Sequence, residues 1–566
     1  MGLNATLSMA KQSLEIFGTG IQVAGQNISN AGTPGYIREE LVLSAADPFR
    51  QGALVLGTGV EISGIQQQID LFLETRIHSA NTEYSSISER NLIYKQLESE
   101  IRELSDGDLS SGLNEFLATI NNVVNQPSSI SDREFAVNEA DKFAAEIRSL
   151  RLRVNDLRGA QSINVENLVT EANQLIDTIV ELNPKISKLE ASGLLQSDAG
   201  ALRNQRYTAL NRLSELVPIR YRERNDGAID VFTGSDYLVL AGTSQKLTLK
   251  TDTDRGVVVH DVLLSQTNSN ISRTGGELKG IIEGRDEILG GFVDQLDTYT
   301  SNMIFEFNKI HASGQGTAGF DQLTSASSVE DPTASLNATQ TGLAFQPRHG
   351  SFQIQVTNKT TGLTNTTTIN VDLDSIGADT TLNSLSADIG GIANLSSSVS
   401  TDGLLTISAD SDYEFQFSND TSNTLAAIGI NTLFTGNDSS DIQINSVVKQ
   451  NQQFLATGQG GGPSDGSNAV LMAAFAENPI EGMGNITLDD FYEKVISNVA
   501  QASASEEALS EGSLAFRESL MGQREQFSGV SIDEETINVL KYQRAYQAAA
   551  RLVSTIDELF TILLNM

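Results

Sequence analysis

The chain is expected to be a multidomain α+β protein, with a long helical bundle and coiled-coil core formed by both chain ends and a β-rich insertion in the middle. Three observations predict this. Leu3, Leu7, Ala10, Leu14, Phe17, Ile21, Ala24 and Ile28 recur at spacings of 4 and 3, a heptad seam. Val539, Tyr542, Tyr546, Ala549, Val553, Ile556, Phe560 and Leu563 recur in the same way at the far end. Between residues 313 and 466 the composition shifts to Ser, Thr, Asn, Asp and Gly with short β-prone runs.

The first helix runs into Asn27-Ile-Ser-Asn-Ala-Gly-Thr-Pro-Gly-Tyr36, where Pro34 stops it and Gly32 and Gly35 permit a sharp turn. Loose alternation through Leu41, Leu43, Val55, Val60 and Ile62 then reads as short strands. Residues 1–66 are thus an N-terminal piece expected to pair with 525–566. Helical period returns at Leu71, with Ile87, Tyr94, Leu97, Ile101 and Leu104 on one face, and a second helix follows from Leu113 to about Val124. Ser131-Asp-Arg-Glu134 has the spelling of a capping box and opens the longest helical pattern, whose stripe runs from Phe143 through Val154 and Leu168 to Leu182. Helices draw most of their stability from packing an apolar face, so a bundle is expected over 67–312. A small β patch at 219–265 interrupts it, with Gly227, Gly234, Gly242 and Gly256 between apolar runs, and a helix returns from about Glu277 to His311.

Residues 313–466 carry Phe352-Gln-Ile-Gln-Val356, Thr368-Ile-Asn-Val371, Leu404-Leu-Thr-Ile407 and Phe415-Gln-Phe417. These read as strands of one or two outer domains, closed by a Gly458-Gln-Gly-Gly-Gly-Pro463 linker. Helices resume near Asn468, so that 467–524 return through the bundle, with Thr487-Leu-Asp-Asp490 opening one of them. Ser531-Ile-Asp-Glu534 is a capping box for the last helix, within 525–566.

At 566 residues the chain has room for roughly three or four domains and several apolar cores. Lys and Arg number 37 against 72 Asp and Glu, and the net charge of −35 opposes binding to nucleic acid or acidic membranes. The absence of cysteine excludes disulfides, thiol nucleophiles and thiolate metal sites. The first residues lack the cationic and apolar regions of a secretory signal. No apolar run reaches the ~18 residues that span a bilayer, so a soluble chain is expected.

Few motifs carry chemistry. Gly314-Gln-Gly-Thr-Ala-Gly319 spells a dinucleotide loop but follows a helix and opens none. Gly462-Pro-Ser-Asp-Gly466 spells a nucleophile elbow inside a glycine linker, with no strand before it. His78, His260, His311 and His349 are far apart, and Asp372, Asp374, Asp410 and Asp412 lack the closing Glu of a calcium loop. No catalytic residue, cofactor or metal is expected, and the chain reads as a non-enzyme.

The terminal stripes carry the functional reading instead. Leu3, Leu7, Leu14, Phe17, Ile21 and Ile28, with Tyr542, Tyr546, Val553, Ile556, Phe560 and Leu563, are the candidate assembly interface. Small Ala10, Ala24 and Ala549 narrow the seam, and Gly18, Gly20 and Gly25 weaken the first helix. Both ends are therefore expected to be unstructured in the free chain and to fold against neighbouring subunits.

Asn27, Asn30, Thr33, Pro34, Gly35 and Tyr36 resemble the signature turn near the N-terminus of bacterial flagellar axial proteins, the rod, hook and hook-associated family. Tyr542-Gln-Arg-Ala-Tyr-Gln-Ala-Ala-Ala-Arg551, with Ser554-Thr-Ile-Asp-Glu558, is similar to that family's C-terminal signature. Ser528-Gly-Val-Ser-Ile-Asp-Glu-Glu535 and Gly275-Gly-Glu-Leu-Lys-Gly-Ile-Ile-Glu-Gly-Arg-Asp286 are more similar to the hook-associated members than to the hook protein, and flagellin lacks the Thr-Pro-Gly turn. The resemblance implies a structural subunit at the junction of hook and filament, needed for filament assembly and secreted by the flagellum's own type III export apparatus. It implies self-assembly into a ring of about eleven subunits whose terminal helices pack in an inner tube. The hook protein would lie on one side, and the next hook-associated protein, then flagellin, on the other. A cytoplasmic export chaperone is also implied, with Val539, Val553 and Phe560 as candidate contacts because an amphipathic stripe fits a groove. The alternatives are another axial protein, of hook or distal rod, and a secreted adhesin using residues 313–466.

Overall fold

The computed structural model describes residues 2–52, 54–101, 109–191, 197–240 and 242–565. It opens with α1 (Gly2–Asn30), β1 (Glu39–Ala45), β2 (Phe49–Gln51), β3 (Leu54–Leu56) and β4 (Val60–Gln67). The helices α2 (Leu71–Ile101), α3 (Leu109–Asn125), α4 (Ile130–Glu190) and α5 (Gly200–Leu216) follow. The β patch comprises β5 (Arg220–Glu223), β6 (Ile229–Thr233), β7 (Asp236–Leu240), β8 (Thr243–Ser244), β9 (Leu247–Asp254) and β10 (Val257–Leu264). After α6 (Gly276–Glu283) and α7 (Gly290–Ala312) come β11 (Gln322–Thr324), β12 (Gly350–Asn358), β13 (Thr364–Val371) and α8 (Leu382–Gly390). Next are β14 (Leu395–Val399), β15 (Leu405–Ala409), β16 (Tyr413–Ser418), α9 (Thr424–Ile428), β17 (Phe434–Thr435), β18 (Gln443–Ile444) and α10 (Ser446–Gln450). The chain closes with α11 (Ser467–Ala473), α12 (Leu488–Ser528) and α13 (Ile532–Leu564). The α+β class and the β-rich middle are as the patterns predict; Leu104 lies outside the described residues.

The chain divides into two compact units, one of residues 1–93, 159–285 and 503–566, the other of 94–158 and 286–502. In the first, Val165, Val169, Ile176 and Ile179 recur on one face of α4 and are buried with Tyr207, Leu210 and Leu213 of α5 and Val231 and Leu238 of the β patch. β5 to β8 form an antiparallel sheet in chain order, β9 pairs with β10, and β1 pairs with β4 through a bulge at Val42 and Leu43.

In the second unit, the sheets β13-β12-β16 and β11-β15-β14 share one apolar core with α8, made by residues such as Phe352, Ile354, Phe415, Ile407 and Leu385. Phe307 of α7 lies 5.3 Å from Phe116 and 5.4 Å from both Phe434 and Phe475, ring centre to ring centre. Arg133, only 1% exposed, donates to the carbonyls of Pro127 (2.7 Å) and Leu455 (2.6 Å) and to Thr457 Oγ1, fixing the chain where it leaves the β-rich stretch. Buried His311 at the end of α7 meets the same segment: Nδ1 donates to the Asn431 carbonyl (2.8 Å) and Nε2 accepts from the Ala456 N–H (3.0 Å).

Four details differ from expectation. The α4 cap is Ser129, whose Oγ accepts from the Asp132 N–H at 3.3 Å, so Ser131 already lies inside the helix. The helix expected over 277–311 is broken by a π-helical turn at Gly284–Leu289. The glycine linker is an organised loop: Asp465 accepts the N–H groups of Gln459 (2.7 Å), Gly461 (2.8 Å) and Ser467 (2.9 Å). Both chain ends, expected to be unstructured, are helical and packed on each other.

One side-chain device recurs. Asn173 donates to the Leu247 carbonyl and accepts from the Leu247 N–H, both at 2.9 Å. Asn183 does the same at Ile229 (2.8 and 3.2 Å), and Asn308 at Phe434 (2.8 and 3.1 Å). A helix-borne amide thus satisfies both main-chain groups of one strand residue, the role a neighbouring strand would otherwise fill.

Candidate assembly site at the paired chain ends

α1 and α13 lie side by side, and their contact explains the glycine at position 20 but not the one at 18. A Cβ on Gly20 would stand 2.9 Å from the ring of Tyr542, and one on Gly18 would stand 3.9 Å from Tyr546. Gly20 is a notch that seats an aromatic ring as well as a weak helix residue. The buried line of α1 is Ile16, Gly20, Val23 and Asn27, again at spacings of 4, 3 and 4 but one position before the predicted stripe. Leu3, Leu7, Leu14, Phe17, Ile21 and Ile28 are half-buried beside it, while Ala10 and Ala24 are buried. The apolar band is wider than the seam, so the sequence stripe traces its flank.

On α13, Ala549 and Ile556 are buried, Val539, Tyr542, Val553 and Phe560 are half-buried, and Tyr546 and Leu563 are exposed, Leu563 by 63%. Ile537, Leu540, Leu552, Leu559 and Ile562 are exposed as well, so that much of this helix's apolar surface has no partner among the described residues.

The turn after α1 locks the pair. Asn27 is fully buried: its amide donates to the Glu39 carbonyl (2.8 Å), and its Oδ1 accepts from the Glu39 N–H (3.1 Å) and the Tyr36 hydroxyl (2.9 Å). Asn30 donates to the Gln26 carbonyl (3.0 Å) and accepts from Thr33 Oγ1 (3.4 Å), Gly35 takes a φ of +77°, and Pro34 faces solvent. The chain leaving the turn then binds the other end. The Arg38 N–H donates to the Ser528 carbonyl (2.9 Å), and its guanidinium lies 3.1 Å from Glu534 and 2.8 Å from Glu535, which is 2% exposed. Ser531 caps α13 by accepting from the Glu534 N–H (3.4 Å), while the Glu534 carboxylate turns to Arg38 instead of closing the box.

Burial, with Glu39 and Glu535 nearby, raises the Tyr36 hydroxyl well above the ordinary tyrosine range. Burial and then Asp198 raise the Glu39 carboxyl, and burial, Glu40 and Glu535 raise Tyr542. Each shift favours the neutral form of its group. The sequence flagged Asn27 and Tyr36, but neither Glu39 nor Arg38 carried a local signal. Away from this site, His349 Nδ1 lies 3.2 Å from Asp372 Oδ1 with Asp374 close by, an exposed group on the surface of the second unit.

Residues 94–323 match the family described as flagellar hook-associated protein FlgK helical domain, and residues 523–566 match the flagellar basal body rod FlgEFG protein C-terminal family. The chain is 22% identical to flagellar hook-associated protein 1 of Escherichia coli strain K12, with all of both chains aligned. It is 21% identical to the protein of the same description from Bacillus subtilis strain 168, over 99% of this chain and 97% of the relative. The flagellar hook junction protein FlgK from Burkholderia pseudomallei, a solved structure, is 15% identical with a TM-score of 0.49, covering 80% of this chain and 100% of that one.

Proposed function

We propose, from the premise that this chain belongs to the FlgK family of flagellar hook-associated proteins, that it is the extracellular structural subunit joining hook to filament. The observation that carries this reading is the closure of both chain ends into one element, α1 and α13 tied through Asn27, Arg38 and Glu535, with an apolar face left on α13. A helix pair with unpartnered apolar residues is half of an interface, and identical copies placed head to tail supply the rest. On this reading Leu3, Leu7, Leu14, Phe17, Ile21 and Ile28 meet neighbouring subunits together with Tyr542, Tyr546, Val553, Phe560 and Leu563, while Ile556, 2% exposed, belongs to the seam within the chain. A ring of about eleven copies, built by such head-to-tail contacts, would receive the hook protein below and the next hook-associated protein and flagellin above. Before export, Val539, Val553 and Phe560 would face a chaperone groove. Residues 313–466 would be the outer insertion, peripheral to the joint. The role is mechanical, and no catalytic step is assigned.

The test is complementation of a strain lacking this protein. The unaltered chain should restore filaments on hooks, while Leu540→Ser with Ile562→Ser, both exposed and outside the intramolecular contact, should fold yet fail to restore them. Normal filaments from that variant, or normal motility without the protein, would sink the reading.

A further inference from the structure

The second unit contains a cleft of about 870 Å³ that the assembly reading does not use. Its walls include Phe305 of α7, Gln322 and Thr324 of β11, Phe345, and Thr435 and Gln443 of β17 and β18. Among its lining residues only Asp441 is charged, in a chain whose net charge is −35. That carboxylate already accepts the N–H groups of Asn437 (2.7 Å) and Asp438 (3.1 Å). Phosphates and other anions therefore find no counter-charge here, and a cation finds one carboxylate whose Oδ1 is already engaged.

The backbone of β11 identifies what does fit. β11 is the edge of its sheet, paired to β15 with Leu323 opposite Ile407. The Asp321 carbonyl accepts from the Ala409 N–H (2.8 Å) and the Ser325 N–H donates to the Leu405 carbonyl (2.8 Å), so residues 321, 323 and 325 face β15. The main-chain groups of Gln322 and Thr324 consequently point the other way, and among the described residues no strand pairs with them. On that same side Phe320 pairs with Phe415 (2.8 and 3.0 Å) and the Ala326 N–H donates to the Gly429 carbonyl (3.0 Å), so the open edge is the short stretch of Gln322 and Thr324. Phe305 and Phe345, stacked at 4.2 Å with their planes 4° apart, give an apolar wall, whereas Thr435 and Gln443 are polar.

We infer that this cleft binds an extended, weakly charged peptide segment as an added strand on β11. Main-chain hydrogen bonds to Gln322 and Thr324 hold it, and its alternate side chains divide between the phenylalanine wall and the hydroxyl and amide groups. An open strand edge is a template for pairing, and recessing it in a cleft restricts that pairing to a single segment.

The probe is a short, end-blocked, fluorescein-labelled peptide alternating Val and Thr, titrated against the full chain by fluorescence anisotropy. Binding is expected, and methylating the probe's alternate amide nitrogens should weaken it about fivefold or more, the value of one lost main-chain hydrogen bond. Thr324→Pro should weaken it by a similar factor. Its missing N–H is the one facing away from β15, so the β11–β15 ladder survives and thermal unfolding checks the fold. If that variant does not fold, the methylated probe on the unaltered chain still decides. No binding at millimolar peptide, equal binding of both probes, or occupation by a neutral oligosaccharide instead of the peptide would overturn the inference.

Discussion

Tyr36 donates its hydroxyl to Asn27 Oδ1 at 2.9 Å, and the same Asn27 amide pairs with both main-chain groups of Glu39. One residue at the end of α1 thereby fixes the turn, the entry to β1 and the path by which Arg38 reaches Ser528 and Glu535.

Removing that amide tests the arrangement. Asn27→Ala leaves the Glu39 N–H and carbonyl unpaired in a buried place and should cost about 3 kcal/mol in chemical unfolding of the first unit. Amide exchange in α1 and β1 should accelerate together. Asn30→Ala removes only local bonds of a less buried side chain and should cost under ~1 kcal/mol. Equal losses from the two would refute a special role for Asn27.

The glycines of α1 should separate by sign. Gly25 has open space around its missing Cβ, so Gly25→Ala should stabilise by up to ~1 kcal/mol through helix propensity alone. At Gly20 the same change drives a methyl into Tyr542, and the melting temperature should fall. Adding Tyr542→Ala should remove most of the Gly20→Ala penalty, which a double-mutant cycle measures.

Arg38 faces two glutamates of unequal burial. Arg38→Ala strands Glu535 and should destabilise by about 2 kcal/mol, a value discounted from fully buried pairs because Arg38 is partly exposed. Glu534→Gln, at an exposed carboxylate, should change stability by less than ~0.5 kcal/mol. Thermal unfolding of both variants checks the order.

Acid should loosen the second unit through His311. Burial, with Arg133 adding repulsion, lowers its pKa from 6.5 to about 4. Between those values the unfolded chain binds a proton that the folded chain refuses, so stability falls as pH drops from about 6.5 to about 4, by about 3 kcal/mol in total. Buried His78 in the first unit acts with the same sign, whereas Glu39 and Glu74, whose carboxyls burial raises, act with the opposite one. Melting temperatures of wild type and His311→Gln from pH 7 to 4.5 should therefore converge as pH falls. A constant gap would contradict the assignment.

Legibility in the sequence followed apolar patterning. Strands such as Phe352 to Val356 alternate clearly, and the helical stripe of α4 is visible from Phe143 to Leu182, interrupted by polar Gln161 and Asn164. β14, with the sequence Leu-Ser-Ser-Ser-Val, gave no signal because it earns its place by pairing with β15 rather than by burying alternate apolar groups. α8 is opened by a capping box of Thr381 and Ser384, a variant without the usual acidic partner. At the candidate site, apolar counting found the flank of the α1 seam and missed its line, because that line includes Gly20 and Asn27. For the same reason apolar counting gives no signal at Asn173, Asn183 and Asn308, although each completes a strand edge far away in sequence.

The exposed apolar residues of α13 sit in a chain carrying a net charge of −35, and the two features set opposite solution behaviour. Repulsion between copies opposes the association that the exposed apolar side of α13 favours. Salt shifts that balance, since the screening length shortens from ~10 Å at 0.1 M to ~3 Å at 1 M while burial of apolar area is unaffected or strengthened. Ionic strength therefore becomes the control by which copies of this chain are kept apart or allowed to meet.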